Sequence, residues 1–230
     1  ETLAFGLVTT TGTVSHTGAG GLTLGGGFGR LSRRYGLTCD QLTSVDIVTA
    51  DGRLLEASAT ANDDLFWGVR GGGGNFGVVT SFEYRLHPFD GWATGGHLVF
   101  PFEQARQALR GFAELYPRAP EGLWIEPILT TTPGGGRVLI LDVCCSDPPA
   151  EAEAALVPYR KLGKAIEDDV KRVRYSVLQT KDDERARIGG RYYTKSGFTD
   201  SLDDGLIDLM LDTIAGATIP RARIAMPPKG

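Results

Sequence analysis

Cysteine and histidine are scarce in this chain, and neither falls into a useful pattern. Three cysteines, Cys39, Cys144 and Cys145, form an odd count without CxxC or metal-ligand spacing. That argues against a disulfide framework and against a zinc site, and with only three histidines no metal is expected. No apolar run approaches the roughly 18 residues of a membrane-spanning helix. Glu1 opens the chain without a basic, apolar and small-residue leader, so a cytoplasmic location without a membrane partner is the expectation. An excess of basic charge is also missing. The 24 Lys and Arg against 28 Asp and Glu leave −4, which gives no reason to expect a nucleic-acid partner. What remains is a 230-residue chain, 41% hydrophobic and 23% charged, long enough to bury a substantial core.

One residue type is in excess. The 32 glycines amount to about 14% of the chain, roughly twice the usual share, and they cluster. Gly18, Gly20, Gly21, Gly25, Gly26, Gly27 and Gly29 form one group, and Gly71, Gly72, Gly73, Gly74 and Gly77 another. Between them, Ser44 to Ala50 alternates, Asp51-Gly52 turns, and Arg53 to Ala57 returns, a hairpin pattern. Asn62 to Arg70 reads as a short helix capped by Asn62 or Asp63. Val78 to Leu86 reads as a strand ending near His87-Pro88. Up to this point strands and glycine loops predominate.

From about Phe89 the pattern changes, which puts a boundary near residues 88–92. Gly96 to Phe100 reads as a strand and Phe102 to Tyr116 as a helix. Leu123 to Thr131 and Arg137 to Cys145 read as strands around Pro133 to Gly136, followed by a helix over Pro148 to Leu162. Gly190 to Phe198 is predicted as a strand, and Arg221 to Met226 as another. Ser201 to Ala215 is predicted as an amphipathic helix with Leu202, Leu206, Leu209, Met210 and Ile214 on one face. The fold class is α+β, with an antiparallel sheet backed by helices.

Glycine inside a regular element costs about 0.5–1 kcal/mol relative to alanine, so two dense clusters need a reason. Gly134 to Gly136 beside Pro133 reads as a plain surface turn. The first cluster is interleaved with Leu22, Leu24, Phe28 and Leu31, which implies burial and main-chain amides needing partners such as a phosphate or a flavin edge. Gly72 to Gly77 matches GxGxxG literally. The dinucleotide fingerprint requires a strand before it and a helix after it, and here the order is reversed. No GK[ST] follows either cluster, which excludes a P-loop.

Gly20 to Gly29 (GGLTLGGGFG), Ser32 to Leu37 (SRRYGL) and Asp40 resemble the second half of the FAD-binding domain of the vanillyl-alcohol-oxidase superfamily, in its berberine-bridge-enzyme-like branch. The motifs Val45 to Gly52 (VDIVTADG), Asp64 to Trp67 (DLFW) and Arg70 to Val79 (RGGGGNFGVV) follow in order. Tyr193 to Ser196 resembles a short motif of the family's substrate domain. The resemblance implies a PCMH-type FAD-binding portion over residues 1–90 and a substrate-binding α+β domain over 91–230. It implies FAD as cofactor and oxidation of an alcohol, sugar or phenolic, alkaloid-like small molecule. Carried across, Thr17, Gly18, Gly20 and Gly21 fall near the pyrophosphate and ring, and Gly25, Gly26, Gly27 and Gly29 beside the ring and ribityl chain. Val78 offers main-chain groups to the cofactor.

The position where some relatives attach flavin to cysteine is about Val14, so no cysteinyl link is expected. His16, Tyr193 and Lys195 are the catalytic candidates, each with a plain structural alternative. On an alternating strand Tyr193 and Lys195 share a face opposite Tyr192. Family members are about twice as long, which implies a central fragment lacking the first FAD subdomain, with weak FAD affinity alone and a tendency to self-associate or meet a partner segment. A non-catalytic remnant, and an NADPH-dependent reductase of the related cell-wall type, stand as alternatives. The Tyr193 to Ser196 match speaks against the reductase.

Overall fold

A computed structural model describes residues 1–219 and 221–227. The first elements are β1 (Leu7–Val8), α1 (Ala19–Leu24), α2 (Ser32–Tyr35), β2 (Leu42–Val48), β3 (Leu54–Ser58), α3 (Asp63–Val69), β4 (Val78–Tyr84) and β5 (His87–Pro88). After them come β6 (Trp92–Pro101), α4 (Ala105–Leu115), β7 (Leu123–Thr131), β8 (Arg137–Cys145) and α5 (Pro149–Arg160). The last are β9 (Glu167–Asp168), β10 (Lys171–Arg174), α6 (Tyr175–Thr180), α7 (Asp204–Ala215) and β11 (Arg223–Ala225). The chain divides into two compact units. The first holds Glu1–Trp92 and takes back Arg174–Ala186. The second holds Ala93–Val173 and the described residues from Arg187 to Pro227.

In the first unit, β2 lies between β3 and β4 in an antiparallel sheet. The alternation seen in the sequence sends Leu42, Val45 and Ile47 inward with Ala57, Phe66 and Val69. Leu24, Phe82 and Tyr84 pack against that cluster. The Asp51-Gly52 turn closes the hairpin with Gly52 at φ 81°, a conformation open to glycine. β1 pairs with β5.

The second unit is a sheet in the order β10-β6-β8-β7-β11, with β9 also on β6. Helical spacing places Ala105, Ala108, Leu109 and Phe112 of α4 on one buried face. That face meets Leu98, Phe100, Leu123, Ile125, Leu139, Leu141 and Val143. α7 adds Ile207, Met210 and Ile214 to the same core. The Asp203 side chain caps α7, accepting from the Leu206 amide at 2.9 Å. This is the α+β class expected from the element order.

Four local expectations need correction. Gly190 to Phe198 is not a strand: the segment has no regular structure, and Tyr193 and Phe198 are exposed. An alternating pattern without a neighbouring strand leaves the backbone without ladder partners. Gly18 to Leu24 is not a loop, since Ala19–Leu24 closes a short helix behind Gly18. Leu209 is exposed, because the inward face of α7 is set by Ile207, Met210 and Ile214. Asn62 stands before α3 without capping it. Its Nδ2 donates instead to the Glu56 carbonyl at 2.7 Å, with φ 49° at the residue itself.

Candidate functional site

The two glycine clusters meet in the first unit. α1 lies against the Gly73–Phe76 turn, and Gly20 faces the Phe82 ring, 3.4 Å from where a Cβ would stand. A hydroxyl pair pins the helix. Thr23 Oγ1 donates to the Ala19 carbonyl at 2.7 Å and lies 2.6 Å from the Tyr84 hydroxyl. With its one proton committed to Ala19, Thr23 accepts the Tyr84 O–H. Burial pushes the Tyr84 phenol upward, opposed by the Thr23 bond.

The glycines sort into two kinds. A Cβ placed on Gly18, Gly21, Gly73 or Gly74 would meet nothing within 4 Å, and Gly18, Gly21 and Gly74 are exposed. Gly27 and Gly29 are buried against the protein's own chain. A Cβ on Gly27 would overlap Thr38 Oγ1, and one on Gly29 would overlap the Thr11 carbonyl oxygen. Gly26 and Gly27 also hold φ of 102° and 84°, which a side chain disfavours. Gly25 ends α1, and a Cβ there would come no closer than 3.3 Å to a neighbour. The packing of the second kind accounts for those glycines without a ligand; the first kind leaves main chain open to one.

Beside Gly29, Thr10 is fully buried and its hydroxyl has no protein partner; the hydroxyl of the half-buried Thr9 has none either. Thr10 Cγ2 lies 3.6 Å from the Gly29 Cβ position. A buried hydroxyl without a partner is costly, and together with the open glycine backbone it suits a ligand rich in acceptors and donors. FAD is such a ligand, so the residues present fit it. Thr17 sits in the exposed turn before α1, its amide donating to the Val14 carbonyl at 3.2 Å. Val78 is exposed at the start of β4. It follows Gly77, where a Cβ would overlap the Val48 carbonyl oxygen.

His16 is held by its surroundings. Nε2 donates to the Ala186 carbonyl at 2.9 Å, and Nδ1 stands 3.7 Å from Asp183 Oδ1. The Ser15 hydroxyl and amide hold the Asp183 carboxyl below its ordinary value, with the nearby His16 adding to the effect. Tyr193 and Lys195 belong to the second unit, where both are exposed and Lys195 Nζ lies 5.9 Å from the Tyr193 ring centre. Sequence reasoning missed Thr9, Thr10, Arg30, Gln179, Asp182 and Asp183. Arg30 is buried directly after the glycine motif, and a charge inside an otherwise apolar run was the one signal available. Among the described residues no cluster of three or more His, Cys, Asp or Glu has the arrangement of a metal site. None of the described helices is long and apolar enough to cross a membrane.

An antiparallel unit with converging glycine turns, joined in one chain to a helix-backed sheet, defines a class of flavin-binding protein, and comparison with known proteins agrees. Residues 1–58 match the family model described as FAD binding domain. The chain is 31% identical over 226 residues to an FAD-linked oxidoreductase of Dictyostelium discoideum, covering 92% of this chain and 46% of that one. It is 40% identical over 104 residues to the xylooligosaccharide oxidase of Thermothelomyces thermophilus, covering 45% of this chain and 21% of the relative. The structure of 6-hydroxy-D-nicotine oxidase from Arthrobacter nicotinovorans is similar at TM-score 0.72 and 26% identity, over 81% of this chain and 41% of that one. The chain thus carries a match to an FAD binding domain and is similar to FAD-linked oxidoreductases. It spans less than half the length of these relatives.

Proposed function

We propose that this chain supplies a flavin-cradling surface and a substrate-binding domain to an FAD-linked oxidoreductase acting on an alcohol, sugar or phenolic, alkaloid-like small molecule. The observation that carries the proposal is the packing of α1, which holds the open glycine Gly21, against the Gly73–Phe76 turn, together with the unpartnered Thr10 hydroxyl in the same unit. The first unit, Glu1–Trp92 with Arg174–Ala186, would serve the cofactor and the second the substrate, in place of a single division near residue 90. The names of the xylooligosaccharide and 6-hydroxy-D-nicotine oxidases support a sugar or alkaloid-like substrate. FAD, when bound, supplies the acceptor for the substrate's hydride. The chain's own part is to bind and orient. Thr17, Gly18, Gly20, Gly21 and Val78 would hold the cofactor through main-chain groups, while Gly25, Gly26, Gly27 and Gly29 shape the turn that carries them. Tyr193 and Lys195 are the substrate-side candidates. His16 ranks below them because Ala186 and Asp183 already engage it.

Calorimetric titration with FAD, comparing the chain with Gly21→Leu, tests this reading. A leucine at Gly21 has open space around it, so folding should be kept while cofactor approach is blocked. Saturable binding by the chain that weakens in Gly21→Leu supports the proposal. Absence of binding would favour a chain that does not retain FAD alone.

A further inference from the structure

Residues 11–16 form a strap that leads directly into Gly18 and α1, and they lie outside any strand or helix. Backbone without ladder partners needs others. At the end of the strap the Thr17 amide turns back to the Val14 carbonyl. Side chains of Gln179 and Asp183, distant in sequence, serve part of the rest. Gln179 Nε2 donates to the Gly12 carbonyl at 2.7 Å and to Thr11 Oγ1 at 3.1 Å. The Asp183 carboxylate accepts from the Ser15 amide at 2.9 Å and from the Ser15 hydroxyl at 2.6 Å. The Ala186 carbonyl accepts from His16 Nε2.

Arg30 joins this set to the glycine turn. Its guanidinium is fully buried and donates to the Thr13 carbonyl at 3.0 Å and to Asp182 Oδ2 at 2.9 Å. The other Asp182 oxygen accepts from Arg185 Nε at 3.1 Å. Arg30 follows Gly29, whose main chain is pressed against Thr11. The strap is therefore held at one side by the glycine turn and at the other by residues 179–186, and charge-assisted bonds of this kind are the stronger sort.

We infer that residues 179–186 are a latch on the strap. Gln179 and Asp183, with Arg30 as the link, are positioning residues that present Gly18 and Gly21 in one arrangement to the cofactor. The inference rests on the FAD reading proposed above for its functional sense. Its structural sense stands apart: without the latch the strap opens locally while the β2–β3–β4 sheet stays closed, because stability is not uniform across a fold.

The test compares the full chain with Asp183→Ala, Gln179→Ala and the conservative Asp183→Glu, by amide hydrogen exchange without flavin and by FAD titration. Asp183 is about a third exposed, and Gln179→Ala provides a second route should the first variant fold poorly. The expected result is exchange about tenfold faster at the Ser15 amide in Asp183→Ala and along the strap in both alanine variants. Val45 and Ile47 should be unchanged, FAD affinity should fall by about tenfold in both, and Asp183→Glu should recover most of each effect. Strap exchange that stays the same, or a loosened strap that binds FAD as tightly as before, overturns the latch. Should the unaltered chain take up no FAD, the proposed function fails, and the exchange comparison still decides the latch.

Discussion

The main chain of Gly29 lies so close to Thr11 that a Cβ on Gly29 would overlap the Thr11 carbonyl oxygen. That oxygen belongs to backbone and cannot swing aside as a side chain would. Gly21 is the opposite case, exposed on α1 with open space where its Cβ would be. The two residues share a motif and differ in what they are for.

Gly29→Ala should therefore cost about 3 kcal/mol or more, at the upper end of overpacking penalties. Gly21→Ala should leave stability level or raise it by up to about 1 kcal/mol, the difference in helix preference. Urea unfolding of both variants checks this, and equal losses would contradict the division of the glycines.

Asp182→Ala should destabilise the chain by about 3 kcal/mol, because it strands the Arg30 charge in the interior. Replacing both, as Arg30→Met with Asp182→Ala, should recover part of the loss, since an apolar pair leaves no buried charge. A double-mutant cycle by chemical denaturation reads the coupling directly.

His87 sets a pH dependence. Its ring stacks on Tyr35 with centroids 4.0 Å apart, and Nε2 lies 2.7 Å from Gln41 Oε1. Burial first, and then the Arg85 charge, lower its value from 6.5. The folded state thus binds the proton less readily than the unfolded chain. The contribution is present in full above 6.5 and is lost as pH falls through the depressed folded value. Stability measured from about pH 7.5 to 5 should decline, and His87→Gln should flatten that decline.

Arg137 closes the end of α7, with Nε donating to the Ile214 carbonyl at 2.9 Å and Nη2 to the Ala215 carbonyl. A cation there meets the negative end of the helix. Arg137→Met should cost about 1–2 kcal/mol, visible as a lowered Tm and as faster amide exchange in the last turn of α7.

Any flavin the chain takes up should come free on denaturation. Val14 occupies the attachment position implied by the family resemblance, and His16 Nε2 is committed to the Ala186 carbonyl. Fluorescence remaining with the unfolded polypeptide would contradict this, and mass spectrometry would then locate the link.

Local pattern carries a large share of the fold. The β2–β3 hairpin, the β7–β8 pair, α4 and α7 are legible because alternation and helical spacing depend on residues a few positions apart. The glycine motifs carry the family resemblance for the same reason, being continuous in the chain. Gly190 to Phe198 misleads because alternation is only half of a strand, and the other half is a neighbour that pattern cannot supply.

The sequence by itself thus determined the class, the likeness to FAD-linked oxidoreductases and the place of most elements, all of which rest on short-range order. Only the tertiary structure decided what the individual residues do. Whether a glycine admits a ligand or merely its own chain depends on what stands opposite: Thr11 for Gly29, Val48 for Gly77, and open space for Gly18 and Gly21. Likewise nothing in the local sequence around Asp182 and Asp183 tells that the fold brings them to Arg30 and Ser15. Contacts across such separations are fixed by chain folding and by the need to satisfy buried polar groups, neither of which a local pattern encodes.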